Sequence, residues 1–349
     1  MDIRRRTLLS ETLHEGGSNE GAINIDNYLT IEARENGLTA SLSTNACEYC
    51  VDGDGNWKTL SAGTATQSIN SGHTLSFRGN LTPVSNQGIG TFAISKKCNL
   101  KGNCMSMLFG DNAANNYSLS GYNSAFRMLF NSAPIVEVST NFLPATQLAS
   151  DCYRGTFYTC PYLKNIPNLP ATTLVHSCYR GMFYKCPSLT SVTNLPATTL
   201  APYCYNAMFS GCTKLTTIPS LPVTTLAEYC YASMFQNCTS LTTAPDLPAT
   251  ILKANCYQSM FYGCTSLTTA PVLPATTLVD GCYYTLFYRC SNLNYIKMLA
   301  TDISASNCFH VWVEGVSSSG TFVKHPDMTT LPTGYYGIPS GWTVVNDGE

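Results

Sequence analysis

Charged side chains are scarce in this 349-residue chain: Asp, Glu, Lys and Arg make up 11% of it, against about 25% in an average soluble domain. The 19 basic and 21 acidic residues nearly cancel, so neither nucleic acid nor an anionic membrane is an expected partner. Solubility has to depend on Thr, Ser, Asn and Tyr instead. The 44% of hydrophobic residues is enough to build a sizeable core.

Long apolar runs are also missing. The chain opens with arginines up to Arg6, but Leu8 and Leu9 give way at once to Ser10, whereas a secretory signal needs about 7–15 apolar residues. No later stretch approaches the roughly 18 apolar residues of a membrane span. We therefore expect a chain that is made in the cytoplasm, carries no signal peptide and has no membrane span.

Catalytic motifs are absent from the sequence as well. The few carboxylates of the second half, such as Glu228, Asp246 and Asp280, do not recur at one spacing. The five histidines stand in no recognisable metal or nucleophile motif. We therefore expect a non-enzymatic protein with no cofactor. The histidines are His14, His73, His176, His310 and His325.

What the chain does have is a repeat of 26 residues, marked by a Leu-Pro column and two cysteine columns. The leucines or their remnants are Leu143, Leu169, Leu195, Leu221, Leu247, Leu273 and Leu299. The first cysteine column is Cys152, Cys178, Cys204, Cys230, Cys256, Cys282 and Cys308. The second cysteine column is Cys160, Cys186, Cys212, Cys238, Cys264 and Cys290. Three columns with one period predict a repeat solenoid over residues 143–316.

Each repeat is predicted to contain a short helix followed by an extended rung. Cys256, Met260 and Cys264 are spaced i, i+4 and i+8, which indicates one face of a helix. The fourth residue of each helix is small, which favours close packing between neighbouring helices. The extended rung ends at a proline such as Pro274. These small residues are Gly155, Gly181, Ala207, Ser233, Ser259 and Thr285.

The segments before and after the repeats have a different sequence pattern. We predict a flexible arm at residues 1–21, a small β-sandwich-like domain at 22–97, degenerate repeats at 98–142 and a C-terminal β cap at 317–349. Two alternating runs, 28–34 and 38–43, are joined by Asn36-Gly37, which predicts a hairpin. Strands are also expected near 74–77, 91–94, 321–323 and 341–345. In the degenerate repeats, the segment from Ala125 to Phe130 resembles the repeat helix without its cysteines. Cys104 and Phe109 mark a second degenerate helix.

The 17 cysteines predict buried ladders of free thiols, although disulfides remain an alternative. The two cysteines of one helical repeat would lie about 12 Å apart, beyond the roughly 7 Å limit between Cα atoms of a disulfide.

Cys47, Cys50, Cys98 and Cys104 fall outside the columns, and a tetrahedral zinc site is one reading of them. The alternating acidic run at 52–56 looks calcium-like, but a tight turn explains it better.

Threonine columns are the predicted display surface. Such regular hydroxyl arrays can match a lattice such as a polysaccharide, or can simply reflect the high β propensity of threonine. A second set of columns runs through 172–173, 198–199, 224–225 and 276–277. The columns of the predicted surface are Thr190, Thr216, Thr242 and Thr268, and beside them Thr217, Thr243 and Thr269.

The repeat resembles the BspA-like (Treponema pallidum-type) leucine-rich repeats. The motif that carries the resemblance is Cys160-Pro-Tyr-Leu163-Lys-Asn-Ile166 together with Met208-Phe209-Ser-Gly-Cys212. The unit here is longer and has an extra cysteine. The resemblance implies adhesion and recognition without catalysis, and no binding residue carries over by position.

The opening arm, β module and repeat also resemble proteins encoded by phages of gut Bacteroidales. That resemblance and the expected lack of a signal peptide favour a virion fibre or decoration protein. Such a protein would contact other virion proteins through the arm and β domain, would form a homo-oligomer, and would bind host-surface or mucosal glycans. The alternative is a bacterial cell-surface adhesin of the same repeat family.

Overall fold

The computed structural model describes residues 21–192 and 194–349, so all of the predicted arm except Gly21 lies outside the described residues. In this part of the chain no helix is both long and apolar enough to cross a bilayer. The elements are mostly short strands. They are β1 (Leu29–Ala33), β2 (Ala40–Leu42), β3 (Cys47–Val51), β4 (Lys58–Leu60), β5 (Thr74–Arg78), β6 (Phe92–Ile94), β7 (Cys98–Lys101), α1 (Ser106–Phe109), β8 (Ile135–Val138), β9 (Tyr295–Met298), β10 (Thr321–Lys324) and β11 (Thr343–Asn346), with 3-10 helices at Ile25–Asn27 and Gly110–Asn115.

The N-terminal region contains a six-stranded sheet in the order β4-β3-β5-β1-β7-β8 and a two-stranded sheet of β2 and β6. Pairing is antiparallel except between β7 and β8. The Asn36-Gly37 hairpin prediction was wrong. Both edges of β1 are occupied by β5 and β7, so β2 has to pair with β6 in the other sheet.

The large sheet continues past residue 97, where degenerate repeats were predicted. Both β7 and β8 belong to it, and α1 contains only four residues. Residues 124–133, in contrast, have the backbone of a repeat unit. Ala125 and Ala133 stand there at the two cysteine positions, and Phe126 stacks on Tyr153 with ring centroids 5.6 Å apart.

The helix predicted in each repeat does not form, and a ribbon of successive turns takes its place. Amides alternate between two kinds of hydrogen bond along this turn ribbon. Arg180 and Met182 donate to carbonyls three residues back, whereas Tyr179, Gly181 and Phe183 donate to the next repeat unit. Every amide of this stretch therefore has a partner. Among the described residues, the single α-helix lies outside the repeats.

Every fourth residue of the ribbon has a left-handed backbone. In one unit these residues are Ser177, Gly181 and Lys185, with φ of 53°, 58° and 52°. The small residue at the fourth position is therefore explained by its positive φ and not by close helix packing, which corrects the sequence interpretation. Glycine, asparagine and aspartate tolerate this backbone best, but Ala207 and Thr285 also adopt it, with φ of 54° and 49°.

Along the ribbon, two side chains that point inward alternate with two that point outward. Cys178, Tyr179, Met182 and Phe183 are fully buried or nearly so, whereas the pairs between them face outward or are glycine. The inward aromatic rings form two continuous stacks through the repeats. Phenylalanine centroids lie 5.4–6.0 Å apart and tyrosine centroids 5.9–6.3 Å apart.

Both ends of the stacks are covered. At the N-terminal end, Phe92 of β6 stacks on Phe130, with centroids 5.6 Å apart. At the C-terminal end, the fully buried Trp312 packs on Tyr283 and Phe287 and donates from Nε1 to the carbonyl of Gly337 at 2.8 Å. The strands predicted in the tail form as β10 and β11, which extend a parallel sheet from β9.

Candidate binding surfaces

The cysteine columns lie inside the repeats, and all 17 cysteines are free and buried. Thiols of the second column make one recurring contact, in which Sγ donates to the carbonyl of a phenylalanine in the preceding unit. The distances run from 2.9 to 3.2 Å. The pairs are Cys160–Phe130, Cys186–Phe157, Cys212–Phe183, Cys238–Phe209, Cys264–Phe235 and Cys290–Phe261.

Burial sets the chemistry of these thiols. It raises the pKa of Cys152, Cys204 and Cys256 to about 12 in each case. A protonated, buried thiol is a poor nucleophile and metal ligand. The cysteine columns are therefore part of the core and offer no reactive site to solvent.

The four cysteines outside the columns are not gathered into one site. Cys47 and Cys50 are three positions apart on β3, so their side chains leave opposite faces of the strand. Among residues 21–192 and 194–349, no group of three or more His, Cys, Asp or Glu side chains is arranged to hold a metal ion. The acidic run at 52–56 forms the turn between β3 and β4, as predicted, and Asp52 contacts His73 at 2.6 Å.

The predicted threonine surface is exposed throughout. Its backbone is joined from one unit to the next: the Thr216 amide donates to the Thr190 carbonyl at 2.9 Å, and Thr243 bridges Thr269 in parallel. The Thr216 hydroxyl also donates to the Thr190 carbonyl, at 3.2 Å. Five other hydroxyls of this surface keep their hydrogen-bonding capacity, since none of them makes a hydrogen bond to another described residue. These are Thr217, Thr242, Thr243, Thr268 and Thr269.

The threonine surface runs into the C-terminal sheet. Thr269 bridges Tyr295, Tyr295 pairs with Thr321, and Thr321 pairs with Thr343. The column therefore continues over the end of the repeats as one parallel ladder, and residues from the C-terminal cap add to the same face.

The outward pairs of the turn ribbon form a second surface that the sequence interpretation missed. Tyr158 stacks on Tyr184 with centroids 4.6 Å apart, and Tyr203 on Tyr229 at 4.7 Å. A strict period of four between Cys256, Met260 and Cys264 was the available signal. A helix of 3.6 residues per turn would drift by about 80° over those eight residues.

A cleft between the N-terminal region and the first units is the third candidate. Its volume is about 440 Å³, within the range of roughly 300–1,000 Å³ for small-ligand sites. Tyr117, which is 51% exposed, stands at this cleft. The wall is rich in amides and has a single carboxylate, which suits an uncharged polar ligand. The polar and aromatic lining includes Asp26, Asn27, Asn103, Tyr117, Asn141 and Asn168.

Stacked repeat units with an apolar, cysteine-lined interior define a leucine-rich repeat protein. Residues 149–268 and 180–311 match the family model described as BspA type leucine rich repeat region, in six copies. The chain's repeat region belongs to this family, which indicates a surface or adhesion-type repeat protein. Searches of curated proteins and of solved structures found no significant match.

Proposed function

We propose that this protein is a non-enzymatic attachment protein, in which the stacked repeats form a rigid solenoid that presents neutral hydroxyl and tyrosine groups to glycans. The observation that carries this proposal is the threonine surface. Its hydroxyls are exposed and recur at the repeat spacing, and the backbones beneath them are hydrogen-bonded from unit to unit. A regular array of fixed hydroxyls suits a regular polymer of sugars, because little side-chain freedom is lost on binding.

The setting that we propose is a phage virion, in which this chain is a fibre or decoration protein. The N-terminal arm and β domain would contact other virion proteins, and the repeats would project toward host or mucosal glycans. The resemblance to phage-encoded proteins supports this setting. Fibres are usually symmetric assemblies, so we also propose a homo-oligomer, which light scattering of the purified chain tests.

A bacterial cell-surface adhesin is the second candidate. Membership in the BspA-type family favours it, and leucine-rich repeats generally bind other proteins. Locating the chain with a specific antibody separates the two. Signal on purified virions supports the phage proposal, whereas signal on intact bacterial cells that produce no phage overturns it in favour of the adhesin.

Glycan attachment is tested by binding the full-length protein to host capsule and to soluble mucin. The variant Thr243→Glu/Thr269→Glu puts two charges on the threonine surface. We expect it to lose most of the binding. The control is Thr224→Glu/Thr225→Glu, which changes two exposed threonines in the other threonine columns. Equal loss in both variants, or no binding by the unchanged protein, would overturn the proposal.

A further inference from the structure

Three arginines occupy equivalent positions on consecutive repeat units. Arg127, Arg154 and Arg180 each donate the backbone amide to the residue three before, at 3.0, 3.1 and 3.1 Å. The Arg154 carbonyl accepts from Met128 and the Arg180 carbonyl accepts from Gly155, each at 2.9 Å. The three side chains therefore leave the turn ribbon one above the other. We call them the arginine column.

The positive charge of this column is only partly neutralised. Arg154 pairs with Asp151 at 3.1 Å, the one ion pair that the column makes in the described part of the chain. Arg127 donates to the neutral Asn86 amide oxygen at 3.1 Å, and the Arg180 guanidinium lies 5.3 Å from the Tyr203 ring centroid. Like charges in register on neighbouring strands destabilise a fold. Partial burial and the Arg154 charge both lower the pKa of Arg127 and of Arg180.

Such a cost is unexpected in a chain with so few charges. The same position holds uncharged residues in the next three units, namely Asn206, Ala232 and Gln258. The fold therefore does not require arginine there, and the charge is confined to the first three units. Residues that lower stability without a structural reason commonly serve binding.

Two stacked tyrosines, Tyr158 and Tyr184, stand in the next outward pairs of the ribbon after Arg154 and Arg180. The interplanar angle of the two rings is 13°. The glycines between the arginines and the tyrosines are buried: the Met128 side chain fills the space over Gly155, and the Tyr158 ring lies 3.9 Å from the place of a Cβ atom on Gly181. Guanidinium groups and phenol hydroxyls therefore belong to neighbouring outward pairs of the same units.

We propose that the arginine column and the Tyr158–Tyr184 pair form a binding site for an acidic polysaccharide that carries carboxylate or sulfate groups. A guanidinium group binds a carboxylate or sulfate through two parallel N–H···O bonds. The tyrosine hydroxyls donate to and accept from sugar hydroxyls. This site rests on the proposed glycan attachment and narrows it to an acidic ligand bound away from the threonine surface.

Single-stranded nucleic acid is the competing ligand, because such sites also combine basic groups with aromatic rings. Bases stack on the free faces of those rings. Here the ring centroids of Tyr158 and Tyr184 are only 4.6 Å apart, so no base can enter between them, and the Lys185 ammonium lies 5.3 Å from the Tyr184 ring centroid. That arrangement favours the polysaccharide.

The test measures binding of the full-length protein to polygalacturonate, chondroitin sulfate, neutral dextran and a single-stranded oligonucleotide at two salt concentrations. We expect both acidic polymers to bind, more weakly at high salt, and dextran not to bind at this site. Arg154→Gln/Arg180→Gln should bind about a hundredfold more weakly, since each charge-assisted contact contributes about tenfold. The control, Lys214→Gln/Lys253→Gln, removes two charges from exposed side chains elsewhere in the repeats and should stay within about twofold.

Thermal unfolding shows whether the variants remain folded. The binding test is repeated with the single variant Arg180→Gln, which breaks no ion pair in the described structure. Unchanged binding by folded arginine variants overturns the site, as does equal loss in the lysine control or tighter binding of the oligonucleotide. Mucin binding that depends on Thr243 and Thr269 but not on the arginines overturns only this site. If mucin binding is lost in neither variant, the proposed attachment function is overturned instead.

Discussion

The thiol of Cys186 donates a hydrogen bond to the backbone carbonyl of Phe157 in the preceding unit, with 3.2 Å between sulfur and oxygen. The same carbonyl accepts the Cys160 amide at 3.4 Å. Each thiol of the second column thus joins two units at a point where the chain turns. This contact gives a physical reason for a cysteine where any small apolar residue would fill the space.

The contact predicts unequal costs for two cysteines in one unit. Both Cys230 and Cys238 are fully buried, but of these two only the Cys238 thiol donates a hydrogen bond to a carbonyl of the described residues. We expect Cys238→Ala to lower the free energy of unfolding by about 1 kcal/mol more than Cys230→Ala, because the Phe209 carbonyl then loses one of its two hydrogen-bond donors. Urea unfolding measures the difference. Equal costs would mean that the thiols act by volume alone.

Alkaline pH should unfold the protein. Burial raises the pKa of Cys256 to about 12, whereas an unfolded thiol titrates near about 8.5. Stability from this shift is complete below the unfolded pKa and is lost as pH rises toward the folded pKa, because the unfolded state releases protons first. The urea concentration at the unfolding midpoint, measured under reducing conditions, should not change through thiol titration between pH 6 and 8. Above pH 8 it should fall. Each thiol contributes about 1.4 kcal/mol per pH unit, so a flat profile up to pH 11 would contradict the burial of the ladder.

Glycine substitution distinguishes the turn ribbon from a helix. Ala207 has φ of 54°, a backbone that costs a non-glycine residue about 1–2 kcal/mol. We expect Ala207→Gly to leave the free energy of unfolding unchanged or to raise it by up to about 1 kcal/mol. Ala232, whose backbone is not left-handed, is the control, and Ala232→Gly should destabilise. If this segment were helical, each of the two alanine-to-glycine substitutions would lower the free energy of unfolding by about 1 kcal/mol.

The 26-residue period was predictable because each column repeats a buried or a turn residue in every unit. The backbone of the unit was not predicted, although the spacing of Cys256, Met260 and Cys264 is four. Tyr203, Tyr229 and Lys185 occupy left-handed positions where glycine or asparagine would have indicated a turn. Hydrogen bonds to the next unit hold them there, and a single unit's sequence does not reveal those bonds.

The candidate sites were predictable to different degrees. Exposed threonines such as Thr243 and Thr269 recur in sequence and therefore stand out. The arginine column does not, since Arg127 is 27 residues from Arg154, and Arg154 is 26 from Arg180. The alignment becomes clear only when Ser124, which has φ of 60°, is matched with Asp151, which has φ of 56°. Backbone geometry supplied the register that spacing concealed.

Trp312 should be the most sensitive position at the C-terminal end. It covers both aromatic stacks and its Nε1 donates to the Gly337 carbonyl. We expect Trp312→Ala to cost about 3–5 kcal/mol, and Trp312→Phe to cost less because it keeps most of the apolar contact. Hydrogen exchange should show the last units opening first in both variants. Uniform loss of protection along the chain would contradict an end-cap role.

Native-state thiol labelling tests how the repeats share stability. The hydrogen bonds and ring stacks between units join consecutive units, so opening should spread from an end, with the free energy of opening greatest in the middle. Cys308 belongs to the last unit and is 4% exposed, whereas the middle cysteines are fully buried, so it should react first among the column cysteines. Cys204, Cys212, Cys230 and Cys238 lie in the middle and should react last. Mass spectrometry of peptides after timed alkylation gives the order, with urea-unfolded protein as the control in which all cysteines react alike. Simultaneous labelling of Cys308 and Cys230 would mean that the repeats open as a single unit, and resistance of paired cysteines in the unfolded control would reveal disulfides in place of the free-thiol ladder.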